Sequence, residues 1–236
     1  MTEIYRLHYA PDNASLIIRL ALEELGVPYT CVLVDRAGAA HKSPAYLALN
    51  PNGLIPVLET PEGVLFETGA ILLWLADRHC RLAPMVESVE RGDFLKWLFF
   101  LSNTLHPALR MTFYPAQYVG DDPGADLALR GHMQGEIARH LDALESMAAS
   151  GRAWFCGADP SLLDLYLAPL LRWMVLYPAP MGGAGWFSLS RWPHLRDMAI
   201  RLEQRRSVAA AIKAEGLNGA PFTAPEYADP PEGSAT

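Results

Sequence analysis

Hydrophobic periodicity changes once along this chain, near residue 82, and no other feature limits the fold as strongly. Before that point strand-like and helix-like runs alternate. "IYRLHY" is a short β-type run with Ile4, Leu7 and Tyr9 as packing candidates. "SLIIRLALEELG" follows, with Ile18, Leu22 and Leu25 on one helical face and Gly26 as the stop. "VPYTCVLVD" is a second strand, and "SPAYLALN" is a short helix closed by Asn50 and Pro51. "LIPVLE" and "VLFE", joined by the turn "TPEG", predict a hairpin, and "ETGAILLWLADRHC" a third helix with Ile71, Leu72 and Leu75 inward. The order β-α-β-α-β-β-α combines a parallel βαβ unit with an antiparallel hairpin, so residues 1–81 form a small α/β domain.

Beyond this the pattern is helical throughout. "RLAPMVESVERGD" carries a proline and a charge run, which places a linker at residues 82–91. Residues 92–216 form an all-α domain, and residues 217–236, rich in Pro and small residues, predict a flexible tail whose relation to any cleft stays open. "ERGDFLKWLFFLSNTLHPALRM" is apolar on almost every side from Phe94 to Leu101. Such a helix needs cover on more than one side, from its own bundle and from a second subunit, so a homodimer is expected.

Composition excludes several classes. Net charge is −7, without a basic block, which disfavours nucleic acid and anionic membranes. Arg201, Arg205 and Arg206 are read as a solvated face. No apolar run reaches the roughly 18 residues of a membrane span, and the N-terminus lacks a signal-peptide core, so a cytoplasmic protein is expected. Cys31, Cys80 and Cys156 show no CxxC and no metal-ligand spacing, so no metal is expected and the three are read as buried structural thiols.

Three segments carry chemistry. Pro56 in "NPNGLIPVLE" cannot donate within a strand, so it marks an edge or a bend that leaves the backbone of Ile55 free to pair with an extended ligand. In "FETGAI", Thr68 at a helix start presents a hydroxyl and free N–H groups suited to a carboxylate, and Glu67 suits an ammonium. An α-amino-acid group bears both charges. In "AHKSPAYL", His41 and Lys42 offer cations to a terminal carboxylate. Each segment also has a structural reading, as an edge proline, a helix cap and a solvated loop.

Together, "YLALNPNGLIPVLETPEGVLFETGAILLWLADR" and "GADPSLLDLYLAP" resemble the soluble glutathione transferases, over residues 4–215, closest in pattern to the bacterial beta class and related serine or cysteine types. In the second segment Ser161 and Asp164 are similar to the family's capping box. The resemblance implies a thioredoxin-like domain followed by an all-α domain, with glutathione as co-substrate between them. It implies that Ile55 pairs with the cysteinyl part beside a cis-Pro56, that Glu67 and Thr68 hold the γ-glutamyl end, and that His41 or Lys42 meets the glycyl carboxylate.

A thiol with a pKa of about 8.5 is mostly protonated at neutral pH, so the site must donate to sulfur. Three donors compete in "YAPDNASL". Ser15 is placed first, because serine and cysteine classes keep their functional residue near it; Asn13 and Tyr9 follow. The beta-class Cys-Ser pair reads Ala14-Ser15 here, which argues against a protein thiol. Asn103, His106 and Arg110 fall at helical spacing beside Pro107, which predicts a kink and the far wall of a cleft. Tyr114 and Tyr118 are pocket candidates for a hydrophobic electrophile or peroxide, and Trp173 is assigned to packing. Two rivals stay open: a glutathione-dependent disulfide reductase, and a non-catalytic interaction protein of the same fold.

Overall fold

The computed structural model describes residues 5–178 and 185–235; Ile4 and residue 236 of the tail lie outside these. Four strands form one sheet: β1 (Tyr5–Tyr9), β2 (Tyr29–Leu33), β3 (Val57–Thr60) and β4 (Gly63–Phe66), in the order β2-β1-β3-β4. β1 runs parallel to β2, pairing Leu7 with Cys31, and antiparallel to β3, pairing Leu7 with Leu58. β3 and β4 form the hairpin, with Thr60 opposite Gly63. Leu7 and Leu58 are fully buried under α1 (Ser15–Leu25) and α3 (Thr68–His79), whose Ile18, Leu22, Ile71, Leu72 and Leu75 complete the layer. The short α2 (Pro44–Leu47) lies between β2 and β3, capped by the hydroxyl of Ser43.

The second domain is helical. α4 (Arg91–Phe100) continues through one π turn (Leu101–Leu105) into α5 (His106–Phe113). Pro107 has no N–H for the carbonyl of Asn103, and the helix widens into the π turn just before it. α6 (Ala116–Val119) and the 27-residue α7 (Pro123–Ala149) follow, then α8 (Leu162–Leu176), α9 (Pro193–Glu203) and α10 (Arg206–Glu215). The capping box opens α8: Ser161 accepts from Leu163 N at 3.1 Å and Asp164 accepts from Ser161 N at 2.7 Å. At the junction of the domains a Cβ on Gly69 would stand 3.2 Å from that of Ser102, so glycine there lets α3 approach the π turn.

Several expectations need correction. The strand expected over "LIPVLE" begins only at Val57, so Pro56 stands outside it. Cys31 and Cys80 are exposed and Cys156 is half-buried; Cys31 lies on β2, an edge strand of the sheet. Arg205 does not sit on a solvated face but clamps Glu24 of α1 through two bonds of 2.7 and 2.8 Å. The tail departs most from expectation. Phe222 and Leu217 are buried, Tyr227 donates to the Leu176 carbonyl at 2.8 Å, and Asp229 N donates to Gly216 O at 2.9 Å. Its composition lacks a core of its own, but buried Arg172 of α8 donates to the carbonyls of Pro221 and Glu226 and so holds irregular backbone in place.

Candidate active site

A cleft of about 970 Å³ opens between the sheet domain and the helical domain. On the sheet side its floor is the loop between β1 and α1, which contributes Asp12, Asn13 and Ala14. Asp12 has a φ of 51°, a left-handed conformation that costs a non-glycine residue energy and so needs support. The support comes from the other domain. The fully buried Asp12 carboxylate accepts from Arg172 Nε at 2.8 Å and Nη2 at 3.0 Å, from Trp173 Nε1 at 2.7 Å, and from the Tyr177 hydroxyl at 2.8 Å. Its N–H donates to Glu215 of α10 at 2.9 Å. Glu215 also pairs with buried Arg19 at 2.7 Å, and burial raises its pKa against the pull of that guanidinium.

The three candidate thiol donors stand in different places. Asn13 lines the cleft; its carbonyl starts α1 by accepting from Leu16 N at 2.8 Å, and its side-chain oxygen accepts from Ala14 N at 2.8 Å. Ser15 does not line the cleft. It is fully buried, donates to the carbonyl of Ala10 at 3.1 Å and accepts from Ala10 N at 3.3 Å, so its hydroxyl ties the two ends of the loop together. Tyr9 is also absent from the lining: its hydroxyl donates to Glu232 of the tail and its ring lies 4.8 Å below the Arg19 guanidinium. Burial and the neighbouring Glu232 carboxylate push its phenol well above the ordinary value.

The ligand-binding candidates come together along one rim. The Ile55–Pro56 peptide is cis, and the paired register of β3 with β1 begins only at Val57, which leaves Ile55 at the cleft wall outside the ladder. Its predecessor is anchored: the Leu54 carbonyl accepts from the Tyr46 hydroxyl at 2.9 Å and from Asn50 Nδ2 at 2.8 Å. Glu67 has a φ of 70°, again left-handed, and Thr68 begins the twelve-residue α3, so its free N–H groups face the cleft with the positive end of the helix. His41 and Lys42 line the opposite end of the rim, joined there by Arg36, which the sequence reading omitted. His41 Nδ1 is buried without a hydrogen-bond partner, and burial with the charges of Arg36 and Lys42 lowers its pKa.

The helical wall carries His106, Arg110, Tyr114 and Tyr118. His106 Nδ1 shares a hydrogen bond of 3.0 Å with the Tyr166 hydroxyl, and its ring centroid lies 6.0 Å from that of Trp173. Burial, with Arg110 close by, pushes its pKa down to about 4, so the ring is neutral at pH 7. Asn103 is exposed, accepts from Ser102 Oγ at 3.0 Å, and does not line the cleft, whereas Ser102 does. The π turn explains the exchange: one extra residue per turn brings position 102 rather than 103 onto the face of His106. Trp173, assigned to packing, does both; it is 4% exposed, reaches Asp12 and lines the cleft. Asp12 itself was missed, because nothing in "APDNAS" shows that Arg172, Trp173 and Tyr177, some 160 residues away, converge on it. Among the described residues no group of three or more His, Cys, Asp or Glu side chains is placed to hold a metal, and no cysteine lines the cleft.

Comparison with known proteins agrees with this architecture. Residues 14–78 match the glutathione S-transferase N-terminal domain and residues 120–197 the C-terminal domain. A glutathione S-transferase of Xanthomonas campestris is 30% identical over 220 residues, covering 90% of this chain and 100% of the relative. A sphingomonad glutathione S-transferase solved in complex with glutathione is 34% identical, with a TM-score of 0.70 over 90% of this chain and 100% of that one. A glutathione transferase of Burkholderia graminis, solved with two glutathione molecules bound per subunit, is 26% identical, with a TM-score of 0.74 over 89% and 88%. With a mixed four-stranded sheet, a cis-proline just before β3, a reciprocally capped α8 and relatives matched over their full length, the chain belongs to the glutathione S-transferase family of enzymes.

Proposed function

We propose that glutathione lies along the sheet-side rim of the cleft and that its thiolate attacks a hydrophobic electrophile or peroxide held against the helical wall. One observation carries the reading: Asn13, Ile55, Glu67, Thr68, His41 and Lys42, from four separate segments, share one cleft with His106 and Arg110. The charges match the tripeptide. Glu67 takes the γ-glutamyl ammonium, Thr68 and the start of α3 its carboxylate, Ile55 the cysteinyl backbone, and His41 with Lys42 the glycyl carboxylate. The unpartnered Nδ1 of His41 supports that last assignment.

In this reading the sulfur sits over the loop at Asn13, and the Asn13 side-chain amide, donating to it, lowers its pKa. This reverses the expected order of donors, since the hydroxyls of Ser15 and Tyr9 are engaged with Ala10 and Glu232. We assign the protein to the cytoplasm, and a homodimer through α4, whose Phe99 is 51% exposed.

The test is an ultraviolet titration of glutathione bound to the purified protein. Ionisation well below the free value, lost in Asn13→Ala and kept in Ser15→Ala and Tyr9→Phe, is the expected result. Binding without any shift in ionisation would remove the mechanism. A disulfide reductase is the second reading, favoured by the cysteine-free lining and by the Burkholderia graminis relative with two glutathiones. Glutathione-dependent reduction of 2-hydroxyethyl disulfide, faster than conjugation, would put it ahead.

A further inference from the structure

Once glutathione's charges are matched to the rim, where Arg36 stands with His41 and Lys42, one cation is left on the opposite wall of the cleft. Arg110 lies on α5 one turn beyond His106, on the wall facing the rim rather than on it. Its Nη2 donates to Gln117 Oε1 at 3.0 Å, and its guanidinium carbon stands 5.9 Å from the Tyr114 ring centroid. Both neighbours orient it and neither neutralises it. Among the described residues no carboxylate forms an ion pair with Arg110. The two acids that line the cleft have other roles: Asp12 is saturated by Arg172, Trp173 and Tyr177, and Glu67 stands at the start of α3 across the cleft.

An unpaired guanidinium beside the Tyr114 ring is costly to leave without an anion, because a half-buried cation has lost part of its hydration. It also offers a planar fork that fits a carboxylate through two parallel bonds. Its charge is felt within the cleft, since it contributes to holding His106 neutral. Resting on the function proposed above, we propose that Arg110 selects electrophiles that carry a carboxylate on an aromatic or unsaturated frame. The frame lies against Tyr114 and Trp173, and the carboxylate turns toward Arg110, leaving the reactive carbon toward the loop at Asn13.

The test compares 4-chloro-3-nitrobenzoate with 4-chloro-3-nitrobenzamide, which differ in charge but hardly in shape. In each, the glutathione thiolate adds to the carbon bearing chlorine, a C–S bond forms, the C–Cl bond breaks, and chloride leaves with its electron pair while the thiol proton passes to solvent. After correction for the uncatalysed rates, kcat/KM should favour the carboxylate by about tenfold, the size expected for one charge-assisted contact. In Arg110→Gln that ratio should fall to near one, chiefly through KM, and Arg110→Lys should recover part of it. A ratio near one in the parent protein, or an equal loss on both substrates in Arg110→Gln, would overturn the proposal; the second result would place the guanidinium on the thiolate instead. If neither chlorinated compound turns over, conjugation of such aryl chlorides fails by itself. Tryptophan quenching by 3-nitrobenzoate against 3-nitrobenzamide then decides the role of Arg110: a preference lost in Arg110→Gln supports it, and equal binding refutes it.

Discussion

Replacing Asp12 by Asn tests the junction on which the cleft depends. The carboxylate accepts four side-chain bonds from three groups, and Arg172 is the largest fully buried side chain among the described residues. An Asn amide keeps one oxygen, enough for Arg172 Nε and Trp173 Nε1, but turns an NH2 toward Arg172 Nη2 and the Tyr177 hydroxyl. The hydroxyl can rotate to accept; the guanidinium cannot. What remains is a buried cation without its counter-charge, a change that typically costs about 3–5 kcal/mol. With half of the acceptor set retained, about 3 kcal/mol is expected here. Urea unfolding at fixed protein concentration, followed by far-ultraviolet dichroism and tryptophan emission together, reads this directly. With a slope of about 3 kcal/mol per molar urea, the midpoint should fall by roughly 1 M. The double variant Asp12→Asn, Arg172→Met should lose less than the sum of the two single losses, because the orphaned charge is then absent. A single-variant midpoint within about 0.2 M of the parent would refute the reasoning.

Other consequences follow from the same contacts. His106 is held near 4 in the fold against an ordinary 6.5, so between those pH values the unfolded chain binds a proton that the fold refuses. Stability therefore rises with pH through that window, by up to about 3 kcal/mol, and is fully present above it; urea midpoints at pH 4.5 and 7 should converge in His106→Gln. Phe222→Ala, at a side chain 1% exposed, should cost about 3–5 kcal/mol in the same assay, whereas an unpacked tail would show no loss. Ser161→Ala removes the acceptor for Leu163 N and should lower stability by about 1 kcal/mol, seen as a small drop in the melting temperature.

Much of this protein could be read along the chain. Alternation in "YRLHY" and "YTCVL", the period of "SLIIRLALEEL" and the turn "TPEG" each depend on neighbours within a few residues, and the sheet and its covering helices follow from them. The same holds for the α8 cap, where Ser161 and Asp164 meet across one turn. Chain position also located the rim residues Ile55, Glu67, Thr68, His41 and Lys42, since the loops that carry them are short and attached to those elements.

What needed the tertiary structure is the direction of each side chain once distant segments meet. Ser15 begins its helix as its neighbours suggest, yet the loop curls so that the hydroxyl closes on Ala10 rather than on the cleft. Asn103 has helical spacing from His106, but a π turn of one extra residue puts Ser102 in its place. The tail has the composition of a loose segment and is held by Arg172, a partner about fifty residues away that no local pattern connects to it. Short-range periodicity reports which face a residue occupies within its own element. Whether that face meets a cleft, a buried charge or another backbone is set by contacts between residues far apart in sequence, and those exist only after the domains have packed.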